Sequence, residues 1–349
     1  MNSSKSSLAS APTIPQTAAS GPKDLPGGAL ATWQTRQRLH LSSTHPLRGL
    51  VIELAEALRA EVLPHIGGTE GRAHMGDGAG GDITFAIDER AESLLEEFLE
   101  RRAPHVAFYS EDRGMVAPET DPEWVLIVDP IDGTRPAMAG FESSCVSVAA
   151  ARLDDEPCMG DVEVGCVLEI KSGERFLALR GEGLEPGAKL SANTSVERMF
   201  WSYGLRGRPA VATATVLGEL IDASSVGGAT FDLGSATYDM TRIVTGQLDA
   251  YIEPGPRMVE EIPGMRAEFE RIGGGAVLNN SPYDLAAAAL CLDEAGAIVT
   301  DASGQSLASR PLLGSGAEFQ ISCIAASGRE LHEAILAAVE AGLTRLAGR

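Results

Sequence analysis

Six consecutive residues, Asp129-Pro130-Ile131-Asp132-Gly133-Thr134, set two carboxylates three positions apart around a proline. The proline fixes the turn, so both side chains and the Ile131 carbonyl can converge on one point. Gly133 lets the backbone come close to a ligand. The amides of Gly133 and Thr134 would face an anion if a helix starts there. Hard oxygen donors of this kind suit Mg²⁺, which takes few protein ligands and keeps waters for a substrate. Two other readings compete. A calcium-binding loop between helices requires a glutamate at its twelfth position; counted from Asp129 that residue is Gly140, and the preceding WVLIV run is strand-like. A plain turn with solvated acids also fits the six residues taken alone.

Composition narrows the class of partner. The 349 residues carry 49 acids against 28 bases, a formal charge of -21. Such a surface repels a nucleic-acid duplex or an anionic membrane, so neither is expected as a partner. A divalent cation is the obvious mediator for an anionic substrate. The five cysteines, Cys145, Cys158, Cys166, Cys291 and Cys323, form no C-x-x-C pair and sit mostly in apolar stretches. They read as reduced thiols of a cytoplasmic protein. The six histidines are scattered, without H-x-x-H spacing, which argues against a zinc site. The first twenty residues hold no continuous apolar segment, and no run approaches the roughly 18 apolar residues of a membrane span.

The elements that must position the hexamer follow from periodicity. Residues 1–45 are rich in Ser, Ala, Thr, Pro and Gly and are expected to be a disordered tail. The folded part starts near Pro46, with a helix from Leu47 to Leu63. A glycine-rich stretch, 67–81, reads as a loop. Residues 82–88 alternate as a strand, and Asp88 then opens an amphipathic helix that it can cap. Val106 to Ser110 reads as a strand ending in Glu111-Asp112, and Trp124 to Val128 as another ending in Asp129. Further strands are expected at 146–153, 162–170 and 175–179. In the second half, 236–245 and 284–295 read as helices, the latter stopped by Gly296. Strands at 248–253 and 321–325 and a terminal helix after Ser327 complete the alternation.

Several of these pieces together resemble the inositol monophosphatase family of metal-dependent, lithium-sensitive phosphatases, from about Leu47 to Leu346. Asp82-x-x-Thr84-x-x-x-Asp88, Ser110-Glu111-Asp112, Asp129 to Thr134, Ser225 to Ala229, and Tyr283 to Ala287 with Glu294 to Ala297 occur in the family's order. The resemblance implies a layered αβαβα sandwich and a homodimer. It divides the folded chain into an N-terminal α+β part, 46–185, with most metal ligands, and a C-terminal α/β part, 186–349, with the substrate side. It also implies two or three Mg²⁺ ions: Glu111, Asp129 and the Ile131 carbonyl for one, Asp129, Asp132 and Asp284 for another, and a weaker ion near Glu111. Thr134 with Asp88 would position and deprotonate the attacking water. Gly133, Thr134, Gly227, Gly228, Ala229 and Glu253 would contact the substrate, a small phosphorylated polyol or sugar. Asp82 is either a supporting partner of the site or a strand-edge acid.

Three departures bear on specificity. Arg135-Pro136 follows Thr134, where the family more often has a hydroxyl residue and asparagine. Gly228 replaces a larger residue of many relatives, which would open the pocket. About thirty residues, 254–282, separate Glu253 from Asp284 and include Arg257, Arg266 and Arg271. They form either a lid or specificity loop, or a surface excursion. The alternatives to monoester hydrolysis are a bisphosphate substrate, whose second phosphate those arginines would read, and a non-catalytic protein that binds metal and a phosphorylated ligand.

Overall fold

A computed structural model describes residues 45–68, 72–77 and 83–348. In chain order its main elements are α1 (Arg48–Val62), β1 (His74–Asp77), β2 (Ile83–Phe85), α2 (Ala86–Arg102), β3 (Ala107–Ser110), β4 (Gly114–Val116), β5 (Trp124–Asp132), α3 (Thr134–Ala139), β6 (Cys145–Arg152), β7 (Val162–Glu169), β8 (Arg175–Leu179) and β9 (Gly183–Glu185). There follow β10 (Phe200–Tyr203), α4 (Ala210–Ser224), β11 (Ala229–Phe231), α5 (Ala236–Thr245), β12 (Ala250–Glu253), α6 (Gly255–Glu261), α7 (Met265–Ile272), α8 (Pro282–Ala295), β13 (Ile298–Thr300), β14 (Cys323–Ala326) and α9 (Arg329–Ala347).

Two mixed sheets carry the fold. The larger has the order β4-β3-β5-β6-β7-β8-β9, with β3 and β5 parallel and the other pairs antiparallel. The smaller has the order β11-β10-β12-β14-β13, parallel at β11-β10-β12 and antiparallel beyond. Helices α1 and α2 cover the outer face of the larger sheet, α5 and α8 lie between the sheets, and α4 and α9 cover the smaller sheet. These five layers are the expected αβαβα sandwich.

The residues account for this arrangement. Along β5, Val125 and Ile127 enter the core between the sheets, while Trp124, Leu126 and Val128 enter the core under α1 and α2. A strand buried on both faces reads as an unbroken apolar run, which is why WVLIV shows no alternation. Helix α8 lies between two sheets, so its alanines Ala286 to Ala289 are all buried. Pro282 sits in its first turn, and Gly296 takes up the left-handed conformation that ends it.

Three local expectations change. The glycine-rich stretch contains β1, which pairs antiparallel with β2, His74 opposite Phe85. The strand expected over 82–88 ends at Phe85, because the Asp88 carboxylate accepts the Phe85 N–H at 3.0 Å and starts α2 at Ala86. Residues 254–282, expected as a lid or specificity loop or as a surface excursion, include two short helices, α6 and α7. The tail expected over residues 1–45 lies, but for His45, outside the described residues, as does Asp82.

Candidate active site

Strand β5 delivers the acids. A register shift in its pairing with β6 falls between Asp129 and Asp132, where the strand turns around Pro130. Asp129 folds back so that its Oδ1 accepts the Ile131 N–H at 3.0 Å. Gly133 follows at φ +90°, a conformation that glycine adopts without steric cost. A Cβ there would also lie 2.5 Å from the Ser143 carbonyl oxygen and 2.9 Å from the Ser235 Cβ. Helix α3 then begins at Thr134.

Asp284 comes from the first turn of α8. Its Oδ2 accepts the Ser281 N–H at 2.6 Å, closing the helix N-terminus and aiming the side chain back along the chain. Asp129, Asp132 and Asp284 each offer a carboxylate oxygen, and these oxygens lie within 4.8 Å of one another. Glu111, at the end of β3, lines the same cavity as the three, though it stands outside that trio. The cavity encloses about 330 Å³ and is also lined by Ile131, Gly133, Thr134, Arg135, Arg206 and Asp232.

Electrostatics within the cluster are unfavourable for bare carboxylates. Burial, then the charges of Glu111, Asp132 and Asp284, push the Asp129 carboxyl well above its ordinary value. Burial and the Asp132 charge push Asp284 up to about 8. Burial also raises Asp132, against hydrogen bonds from Ser235 and Thr237. A group of like charges held this close needs protons or a cation. Its all-oxygen donor set fits a hard divalent ion such as Mg²⁺.

Thr134 faces the same cavity. Its hydroxyl lies 3.0 Å from Asp88 Oδ1 and 3.1 Å from the Ile131 carbonyl oxygen. Asp88 therefore serves two groups, capping α2 through Oδ2 and meeting Thr134 through Oδ1.

The structure thus brings Glu111, Asp129, Ile131, Asp132, Gly133, Thr134 and Asp284 to one cavity, with Asp88 behind Thr134. Gly227, Gly228, Ala229 and Glu253 are not among its lining residues. Gly228 packs instead against β10: a Cβ on it would lie 2.2 Å from the Met199 carbonyl oxygen. The wall expected there is supplied a few residues later by Asp232, Leu233 and Gly234. Glu253 is fully buried, ion-paired with Arg208, and accepts the Gly255 N–H at 2.8 Å. The arginines of 254–282 are engaged elsewhere. Arg257 pairs with Glu261 and Glu340, Arg266 with Glu270, and Arg271 with Glu268.

Sequence reasoning missed the residues that hold Asp132. Ser235 donates its hydroxyl to Asp132 Oδ2 at 2.8 Å, and the Thr237 N–H donates to the same oxygen at 2.6 Å. Ser235 is also the N-cap of α5, accepting the Tyr238 N–H. A Gly-Ser pair just before an apolar-periodic helix was the available signal, and it marks the cap but not the distant carboxylate. Arg206, which lines the cavity, was likewise not singled out.

The profile of the inositol monophosphatase family matches residues 44–344, and the chain belongs to that family. Its members depend on metal. A "Fructose-1,6-bisphosphatase/inositol-1-monophosphatase" of Methanothermobacter thermautotrophicus is 26% identical over 84% of this chain and 96% of its own length. An "Inositol-1-monophosphatase" of Aeropyrum pernix is 27% identical over 67% of this chain and 77% of its own. Among solved structures, extragenic suppressor protein SuhB from Bartonella henselae superposes with a TM-score of 0.64 at 20% identity, covering 85% of this chain and 99% of that one. That likeness concerns the fold. No helix among the described residues is long and apolar enough to cross a membrane.

Proposed function

We propose that this protein is a Mg²⁺-dependent phosphomonoesterase acting on inositol monophosphate or a related small sugar or polyol phosphate. The observation that carries this reading is the trio Asp129, Asp132 and Asp284 in one cavity with Thr134 backed by Asp88. Glu111, Asp129 and the Ile131 carbonyl would hold one ion, and Asp129, Asp132 and Asp284 a second. When bound, the ions neutralise phosphoryl charge and acidify a water.

The chain's own groups supply the rest. A Thr134 hydroxyl that donates to Asp88 keeps its lone pairs for a proton of the attacking water. As Thr134 Oγ1 takes up that proton, its own hydroxyl hydrogen can pass to the Asp88 Oδ1 carboxylate without any side chain moving. No covalent intermediate with the protein is required. A cavity of about 330 Å³ takes one sugar or cyclitol ring with its phosphate. Gly133, Thr134 and the turn at 232–234 form its walls, and Arg135 and Arg206 line it too, adding positive charge beside the acids.

Those two arginines favour a second reading, in which the substrate carries another phosphate. The name of the Methanothermobacter relative, with both activities in it, supports keeping that reading. Phosphate release from inositol 1-phosphate, sugar monophosphates, fructose 1,6-bisphosphate and adenosine 3′,5′-bisphosphate, with Mg²⁺ and with chelator, separates the two. Magnesium-dependent release from monoesters alone supports the first. A preference for a bisphosphate supports the second. No release from any member, with Mg²⁺ still bound, would favour a binding protein or a substrate outside the panel.

A further inference from the structure

The residues on either side of Glu111 are held by one helix. Glu92, on α2, is 1% exposed and uses both carboxylate oxygens on this segment. Its Oε2 accepts the Ser110 hydroxyl at 2.8 Å, and its Oε1 accepts the Asp112 N–H at 3.1 Å. Thr84, at the foot of α2, donates its hydroxyl to Asp112 Oδ1 at 2.7 Å. One residue further on, Arg113 is gripped by two more acids of α2. Its Nη2 and Nη1 meet the two carboxylate oxygens of Glu89 at 2.7 and 3.1 Å, and its Nε meets Glu96 at 2.6 Å. Glu89, Glu92 and Glu96 share one face of the helix by their spacing. The same helix carries Asp88, the partner of Thr134.

We infer that Glu92 and Arg113 are positioning residues that fix Glu111 for the divalent cation, making α2 the common support of Glu111 and Thr134. This rests on the metal-dependent reading above. The physical case is that a carboxylate at a strand end has free rotamers and a mobile backbone, and ordering it costs free energy when the ion binds. A segment already fixed at 110, 112 and 113 has met that cost in folding. Burying Glu92 is itself unfavourable, and burial pushes its carboxyl up to about 7. A merely space-filling residue at that position of α2 would be apolar.

Four variants of the full-length chain test the inference. The readout is Mg²⁺ affinity by isothermal titration calorimetry without substrate, alongside thermal unfolding. Glu92→Ala is expected to weaken binding about tenfold or more, the usual effect of removing a group that orients a ligand. Glu92→Gln should recover most of that loss, because its amide oxygen accepts from Asp112 and its amide nitrogen donates to a rotated Ser110 hydroxyl. Ser110→Ala and Arg113→Gln break the clamp from the other side without emptying the core, and each should weaken binding about threefold, a milder form of the same effect. Should Glu92→Ala not fold, these two decide the matter. Wild-type affinity in both overturns the inference, as does wild-type affinity in a folded but destabilised Glu92→Ala. Asp129→Asn is the control for the parent reading. If it binds Mg²⁺ as the wild type does, the metal centre itself is misplaced. If it loses binding while the clamp variants keep theirs, only the clamp fails.

Discussion

At Thr134 one hydroxyl hydrogen lies between two acceptors, Asp88 Oδ1 and the Ile131 carbonyl. If Thr134 relays a proton, its methyl group is dispensable and its oxygen is not. Thr134→Ala is therefore expected to lower kcat about 10²-fold, in the range for losing a proton-transfer group, while Thr134→Ser stays within about tenfold of wild type. Substrate KM and Mg²⁺ binding should stay near wild type in both. A parallel loss of Mg²⁺ affinity in Thr134→Ala would refute the relay and make the residue part of the metal site. Asp88 separates catalysis from stability in the same way. Asp88→Asn keeps an oxygen for the Phe85 N–H. It should lose activity with little change in unfolding free energy, whereas Asp88→Ala should also lose about 1 kcal/mol of helix capping. Chemical denaturation of both variants distinguishes these outcomes; equal destabilisation would deny Asp88 its capping role.

Between elements, close backbone approach is what glycine permits at 228. The loop after α4 lies against β10 so tightly that a Cβ would meet Met199 O at 2.2 Å and Met199 N at 2.8 Å. Gly228→Ala should destabilise the protein by about 2–4 kcal/mol through overpacking, with KM unchanged for whatever substrate is turned over. An altered KM at wild-type stability would restore the reading of Gly228 as a pocket residue. Glu253 poses the related case of an ion pair. With Arg208 7% and Glu253 1% exposed in their side chains, removing either charge alone strands the other. Arg208→Met is expected to cost about 3–5 kcal/mol and the double change with Glu253→Leu much less, because the second change removes the stranded charge. Denaturant midpoints of the single and double variants check this, and additive losses would contradict it. These two positions also show what local sequence carries and what it does not. The acidic hexamer was legible because a doubly buried strand, a proline turn and a glycine are all short-range signals. So was Asp284, at the head of a helix with clear ends. The partner of Glu253 lies 45 residues away and that of Asp132 lies 103 residues away, at Ser235. No periodicity encodes which of many distant polar residues will meet an acid. Glu253 therefore looked available for substrate when it was already engaged by Arg208.

For the whole molecule, a charge of -21 is concentrated further by the carboxylates gathered around one cavity. Without a cation, Asp129, Asp132 and Asp284 all hold their protons more tightly folded than unfolded, Asp284 up to about 8 against an ordinary value near 4. Between those limits the folded state binds more protons than the unfolded state. The contribution to stability is complete below about pH 4 and is lost as pH rises towards 8, at about 1.4 kcal/mol per pH unit for each extra proton held. The metal-free protein should therefore melt at a lower temperature at pH 8 than at pH 5.5. Magnesium competes with those protons, so its stabilisation should be larger at pH 8, about 2.7 kcal/mol at a hundredfold excess over its dissociation constant. General repulsion among surface acids pushes in the same direction, but monovalent salt screens it and does not replace a bound ion. Asp129→Asn separates the two effects. It removes one buried charge out of 49 acids, hardly altering the surface, yet should raise the metal-free melting temperature at pH 8 and abolish most of the response to Mg²⁺. Melting curves in chelator and in Mg²⁺, at both pH values and at high NaCl, provide the check. A variant that melts like the wild type under all these conditions would mean that the acidic cluster is neither strained without a cation nor relieved by one.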